Sequence, residues 1–274
     1  MKTAPIQRKI YDPIGQCIYC GEVASTSMRL GDEHIIPRSI GGGLILREAS
    51  CRDCEKETSK IEDNCAKMLF HEARAHFKIS GRKEKRTRTK IRVPLRAPSK
   101  TFPINDYPLS LYAFVLWPPQ ILDPSITPAV RGKRVELLSL FLSDDFNDRL
   151  RNVGTANFIV PVRPDTFARQ LAKIGHAYAV AELGLSGFIP FLCNLIRGIP
   201  PFDPYFHIGG SRYEKQTSRR LGPTPKHFHE VDISFPKKDG KTLVVVRIRL
   251  FSQYGMPTYF AVVGETRHDQ GQHL

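Results

Sequence analysis

The order of apolar and polar positions divides the chain into stretches of different character. From about Arg52 to Phe77, apolar side chains at Ile61, Cys65, Met68, Leu69 and Ala73 recur at helical spacing, which predicts a helix with one buried stripe. Ahead of it, Cys17 to Leu30 reads as a tight turn closed by Gly21 and then a first strand. Gly31 to Pro37 reads as an extended segment that Pro37 ends, and Leu44-Ile45-Leu46 as a short second strand, with Gly41-Gly42-Gly43 as the turn between them. Residues 109 to 117, Leu-Ser-Leu-Tyr-Ala-Phe-Val-Leu-Trp, predict a buried strand, and Arg134 to Leu142 and Ala156 to Val162 are further strand candidates. Thr166 to Leu183 predicts a helix stopped by Gly184, and Gly187 to Arg197 a second one. Toward the C-terminus, Phe228 to Phe235, Thr242 to Ser252 and Thr258 to Val263 predict a β-meander whose first turn is Asp239-Gly240. The elements add up to an α+β protein, with antiparallel strands and two helices in its second part.

Charge changes this picture. The 41 Lys and Arg residues outnumber the 27 Asp and Glu by 14, an excess that points to a polyanionic partner, nucleic acid first. The basic residues cluster. Arg82, Lys83, Lys85, Arg86, Arg88, Lys90, Arg92, Arg96 and Lys100 face only Glu84 in opposition, so residues 81–100 read as a basic linker able to grip phosphates. It separates a module at residues 1–80 from a mixed α+β domain at 101–274, whose role is targeting, sensing or assembly. A second basic cluster is Arg212, Lys215, Arg219 and Arg220. The apolar fraction of 41% supports a packed core. Met1 to Ile10 lacks the apolar stretch of a signal peptide and no run of about 18 apolar residues occurs, so the expected setting is cytoplasmic, without a membrane. In a reducing compartment, closely spaced cysteines read as metal ligands and not as disulfides. The two cysteines outside such pairs, Cys65 and Cys193, read as buried inert thiols.

The chemistry lies near the N-terminus. Cys17-Ile18-Tyr19-Cys20 and Cys51-Arg52-Asp53-Cys54 supply four thiolates, the ligand set of a closed tetrahedral Zn²⁺ site. The segment between the pairs is too long for a compact finger and must be a folded piece, for which a β-hairpin fits; zinc would clamp its base to the start of the helix. Inside it lies Glu33-His34-Ile35-Ile36-Pro37. A structural zinc knuckle has no need of a carboxylate beside an imidazole, and the pair suggests a second metal held for hydrolysis. Glu33 would bind a hard cation such as Mg²⁺ or another divalent ion through oxygen, with Glu55, directly after the fourth cysteine, as the second oxygen ligand. His34, with an unperturbed pKa near neutrality, would take a proton from water. Neighbours on a regular strand point to opposite faces, so Glu33 and His34 can share a cleft only if the strand bends or twists near Pro37. Two histidines later in the chain read differently: His176 lies on an apolar helix and reads as a satisfied core residue, while His227 and His229 read as polar edge residues.

This arrangement resembles the HNH endonucleases of the ββα-metal class, in their four-cysteine zinc branch, over roughly residues 15 to 80. The resemblance rests on Cys17/Cys20, Glu33-His34-Ile35-Ile36-Pro37, Gly41-Gly42 and Cys51/Cys54. It implies a zinc-stapled ββα module that hydrolyses phosphodiester bonds, in DNA before RNA, with His34 as general base and Glu33 and Glu55 at the metal-ligand positions. Two residues depart from the family pattern: Glu33 stands for an Asp, and Glu55 for an Asn. If Glu55 does not reach the ion, His71 on the same predicted helix is the fallback ligand. A stand-alone nuclease of this size would suit antiviral defence against foreign DNA, and self-assembly into an oligomer is left open. The rival reading is a non-catalytic zinc module that binds nucleic acid or protein. It accounts for the cysteines and the charge but gives no reason for Glu-His-Ile-Ile-Pro followed by Gly-Gly.

Overall fold

The computed structural model of the chain describes residues 4–26, 28–79, 90–93, 100–131, 136–153, 163–201, 203–211 and 225–267. Near the N-terminus, β1 (Lys9–Tyr11), β2 (Gly31–His34) and β3 (Leu44–Ser50) form a sheet of order β1-β3-β2. β2 runs antiparallel to β3 as the hairpin, and β1 is parallel to β3. β1 replaces the first strand expected between Cys17 and Leu30, where the described residues show an isolated bridge from Gln16 to Val23. It is a three-residue edge strand whose Ile10 is exposed, so its sequence carries no alternation to read.

The long helix expected from Arg52 to Phe77 is broken in two, α1 (Arg52–Met68) and α2 (His71–His76). Leu69 and Phe70 at the break are both buried, and Phe70 packs its ring against Phe167 and Phe251. The chain turns at this point with both side chains in the core.

Within the expected linker, β4 (Lys90–Val93) pairs with β5 (Lys100–Pro103) as a hairpin. Arg82, Lys83, Lys85, Arg86, Arg88, the second basic cluster and the strand candidate at 156–162 lie outside the described residues. The buried strand is β6 (Ser110–Val115), followed by α3 (Pro128–Arg131) and then β7 (Glu136–Phe141), which pairs with β6. After α4 (Phe146–Val153) comes α5 (Pro164–Leu183), close to its predicted bounds. Gly187 to Arg197 is a helix only in its last part, α6 (Cys193–Arg197); its beginning is β8 (Phe188–Pro190). That strand lies at the end of a sheet, where Pro190 removes no interior ladder bond.

The remaining elements are α7 (Pro204–His207), β9 (Ile208–Gly210), β10 (Glu230–Ser234), β11 (Lys237–Lys238), β12 (Lys241–Arg249) and β13 (Tyr259–Thr266). β10, β12, β13 and β8 make the larger sheet in that order, and β11 pairs back onto β12 across the Asp239-Gly240 turn. No helix among the described residues is long and apolar enough to cross a membrane.

One hydrophobic core runs from Tyr11 to Val263 and takes in the N-terminal sheet, α1, α5 and the larger sheet. α5 is its axis. Buried residues occur all round it, from Phe167 to Val180. Gly175 lets it approach β13 closely, because a Cβ there would stand 2.7 Å from that of Ala261. On such a helix a polar side chain requires a buried partner. Gln170, Lys173 and His176 are all fully buried and follow one another at three-residue spacing.

Candidate functional site

The first cysteine pair sits on a tight turn in which Gly21 N–H donates to Cys17 O at 2.9 Å and Cys17 N–H donates to Glu22 O at 2.7 Å. Ile18 N–H donates to Ala49 O at 2.8 Å, which ties this turn to the end of β3. Cys51 is the N-cap residue of α1 and Cys54 lies in its first turn. The four sulfur atoms of Cys17, Cys20, Cys51 and Cys54 lie within 4.8 Å of one another, with Cys20 and Cys51 Sγ at 3.6 Å. Zn–S bonds of about 2.3 Å in a tetrahedron put sulfurs roughly 3.8 Å apart, so the cage fits zinc. Burial works against a thiolate at Cys17, but backbone N–H groups of Cys51, Tyr19 and Cys20 outweigh it and hold its pKa below the ordinary thiol range. Burial pushes Cys20 up to about 11.

β2 carries the acidic and imidazole groups with the alternation of a strand: Asp32 is exposed, Glu33 buried and His34 half-buried. Beyond it the chain turns sharply. Gly42 N–H donates to Pro37 O at 3.1 Å, and a Cβ on Gly42 would lie 1.9 Å from Ile36 O. Only glycine fits there, which explains physically why the glycine run follows Pro37.

Glu33 does not open toward a cleft. Its carboxylate meets Lys173 Nζ of α5 at 2.5 Å, and Glu62 of α1 meets the same ammonium at 2.7 Å. Lys173 also donates to His34 O and, at 3.5 Å, to Ile35 O. Burial pulls the Lys173 pKa down, but the two carboxylates reverse this and raise it. Burial pushes Glu33 up against the pull of the same ammonium. Glu55 lies elsewhere, exposed in the first turn of α1, with an oxygen 3.6 Å from where a Cβ of Gly31 would be. His71, expected on the same helix as Glu55, instead opens α2. Among the described residues the four cysteines are the one group of three or more His, Cys, Asp or Glu with ligand atoms close enough for a shared ion. Glu33 is thus paired with Lys173, while the other two expected ligands stand on α1, where Glu55 is exposed, and at the start of α2, where His71 lies.

His34 is differently placed. Burial and then the Lys173 charge lower its pKa; Arg38 adds to this, and Glu62 and Asp32 oppose it without reversing it. The imidazole is thus neutral near pH 7 and able to accept a proton. Its Nδ1 is buried without a hydrogen-bond partner among the described residues, which leaves Nε2 as the nitrogen that can meet water. Arg38, one residue beyond Pro37, is exposed and makes no ion pair among the described residues.

Two more side chains from the C-terminal half hold this region by its main chain. His176 is a core histidine whose Nε2 donates to Ile18 O at 2.7 Å, while its buried Nδ1 has no partner among the described residues. His229 is not at an edge, as its sequence context suggested. It is buried, accepts from Phe251 N–H at Nδ1 and therefore donates from Nε2 to Ile40 O at 2.9 Å. Lys173 and Glu62 are the site residues that sequence reasoning missed. The available signal was a lysine inside the apolar run Leu171-Ala172-Lys173-Ile174-Gly175, which on a core helix demands a buried counter-charge.

Residues 17–70 match the family model described as HNH endonuclease. Among curated proteins and among solved structures, none matches the chain. The N-terminal part thus carries a nuclease-type domain with a cysteine cage suited to zinc.

Proposed function

We propose that this HNH-type domain hydrolyses phosphodiester bonds of nucleic acid, DNA before RNA, with His34 as the general base. The observation that carries the reading is the state of His34: a half-buried imidazole, held neutral by its surroundings, on a strand fixed next to the cysteine cage. Water meeting Nε2 would lose its proton there as it attacks phosphorus. The exposed, unpaired Arg38 guanidinium is available to a phosphate oxygen beside it. Zinc in the cysteine cage would fix the base of the hairpin against α1 and take no part in the reaction. The resemblance also implies Mg²⁺ or another divalent cation. Glu33 does not fit it, since its charge is used on Lys173, and no step is assigned to such an ion here. The basic segment around Arg82 to Arg92 would add affinity for phosphates without reading sequence. Cleavage of foreign DNA in defence would use this same activity.

The test is nicking of supercoiled plasmid by the zinc-loaded protein, with and without added divalent ion. His34→Ala is expected to lose about 10²-fold or more of the activity, as for removal of a general base, with fold and zinc content unchanged. Normal nicking by that variant would remove His34 from the mechanism. The second reading, a non-catalytic zinc module that binds nucleic acid, is favoured by the locked state of Glu33. Its signature would be DNA binding by the wild-type protein with no nicking under any metal condition.

A further inference from the structure

The Lys173 ammonium has four oxygen atoms around it. Two belong to carboxylates, Glu33 at 2.5 Å and Glu62 at 2.7 Å; two are main-chain carbonyls, those of His34 and Ile35. Carboxylates and backbone carbonyls are the surroundings that a hard divalent cation takes. The lysine cannot readily be withdrawn. It is fully buried, and α5, which carries it, is packed on all sides and seated on β13 through Gly175.

We propose that Lys173 is a built-in cation, standing where a divalent ion would have to stand to reach Glu33, so that Glu33 is its counter-charge and holds no metal. The inference rests on the HNH-type reading of β2 for the comparison with a metal ligand. Lys173 is then a positioning residue. It fixes the main chain at His34 from below and adds a positive charge next to the imidazole. Removing Lys173 would leave the buried Glu33 carboxylate without its counter-charge, whereas removing one carboxylate leaves the ammonium paired with the other.

The experiment compares four zinc-loaded, full-length proteins: wild type, Glu33→Gln, Lys173→Ala and the double variant Lys173→Ala/Glu33→Gln. Each is titrated with Mn²⁺ and followed by electron paramagnetic resonance and by Tm. Glu33→Gln should leave any Mn²⁺ affinity of the otherwise wild-type protein unchanged. Lys173→Ala should be less stable than wild type and should acquire a Mn²⁺ site in the vacated oxygen cluster. Its Tm should rise by about 5–10 °C at roughly 100 times the Mn²⁺ Kd. The double variant should lose that response, because Glu33 supplied the ligand. A purely structural lysine would produce no metal-dependent rescue. If Lys173→Ala does not fold without metal, refolding yield with and without Mn²⁺ replaces Tm, with the same expectations.

The proposal is overturned if Glu33→Gln weakens Mn²⁺ binding in the presence of Lys173, or if Lys173→Ala shows no Mn²⁺ response. None of these readouts uses nicking. A protein that fails to nick therefore counts against the proposed activity alone, and a failed Mn²⁺ response against the built-in cation alone.

Discussion

At the scale of the residue, the cysteine motif and Glu33 show how far a side chain's role depends on what lies across from it. Four cysteines at short spacing carry their chemistry in the sequence, because thiolates brought this close have one common use in a reducing setting, and they assemble as that spacing requires. Replacing one, as in Cys51→Ser, should lower bound zinc below one per chain. It should also cost several kcal/mol of stability, a fraction of the about 10–16 kcal/mol that structural zinc supplies to finger peptides. Zinc content together with Tm checks this, and full stability in a zinc-free variant would refute it. Glu33 was legible as a carboxylate beside an imidazole but not as an ion-pair partner, since Lys173 lies 140 positions away along the chain. No local pattern records a contact of that separation.

At the scale of the element, α5 was recognised from its apolar content, and its bounds were close because Gly184 ends it. What periodicity could not supply was its direction of burial, because a helix buried all round has no polar face to orient it. Lys173 and His176 are pinned by backbone partners instead, and for His176 this has a consequence for acid stability. Burial lowers His176 on α5 to about 4, against the opposing effect of its bond to Ile18, and lowers His229 to about 4 in the same way against its bond to Ile40. Above the ordinary value of about 6.5, folded and unfolded chains both hold these rings neutral. As pH falls from about 6.5 to 4, the unfolded chain binds protons that the folded one refuses, so stability drops by up to about 1.4 kcal/mol per unit for each ring. Below about 4 they add no further loss. Tm measured from pH 8 to 4 should show this decline. His176→Gln keeps a donor for Ile18 and should flatten the slope by one histidine's share; an unchanged slope would mean that His176 is not buried neutral.

At the scale of the whole molecule, the α+β class and the meander were readable from strand alternation and the Asp239-Gly240 turn. The core shared between the N-terminal sheet and the larger sheet was not, because the basic stretch at 81–100 suggests a divider and nothing in it shows which faces meet across it. The net charge of +14 belongs to this scale too. Neutralising Arg86, Arg88 and Lys90 should weaken DNA binding and reduce the slope of log K against log salt by up to about 2.7, at about 0.9 per lost phosphate contact. Equal slopes for variant and wild type would show that the segment does not touch the backbone.

Lys173, His176 and His229 each grip a carbonyl of the cysteine-bearing half, at His34, Ile18 and Ile40. Main-chain oxygens are the same whatever side chains surround them, so these three grips depend on the path of the backbone and not on its sequence. The N-terminal half is accordingly not a portable cassette. Grafted onto another protein, it would carry its zinc ligands and its histidine but leave the carbonyls of Ile18, His34, Ile35 and Ile40 and one buried glutamate without their donors. Exchange of the cysteine-bearing half by recombination should succeed only between chains that keep a lysine and two histidines at the matching places in the other half.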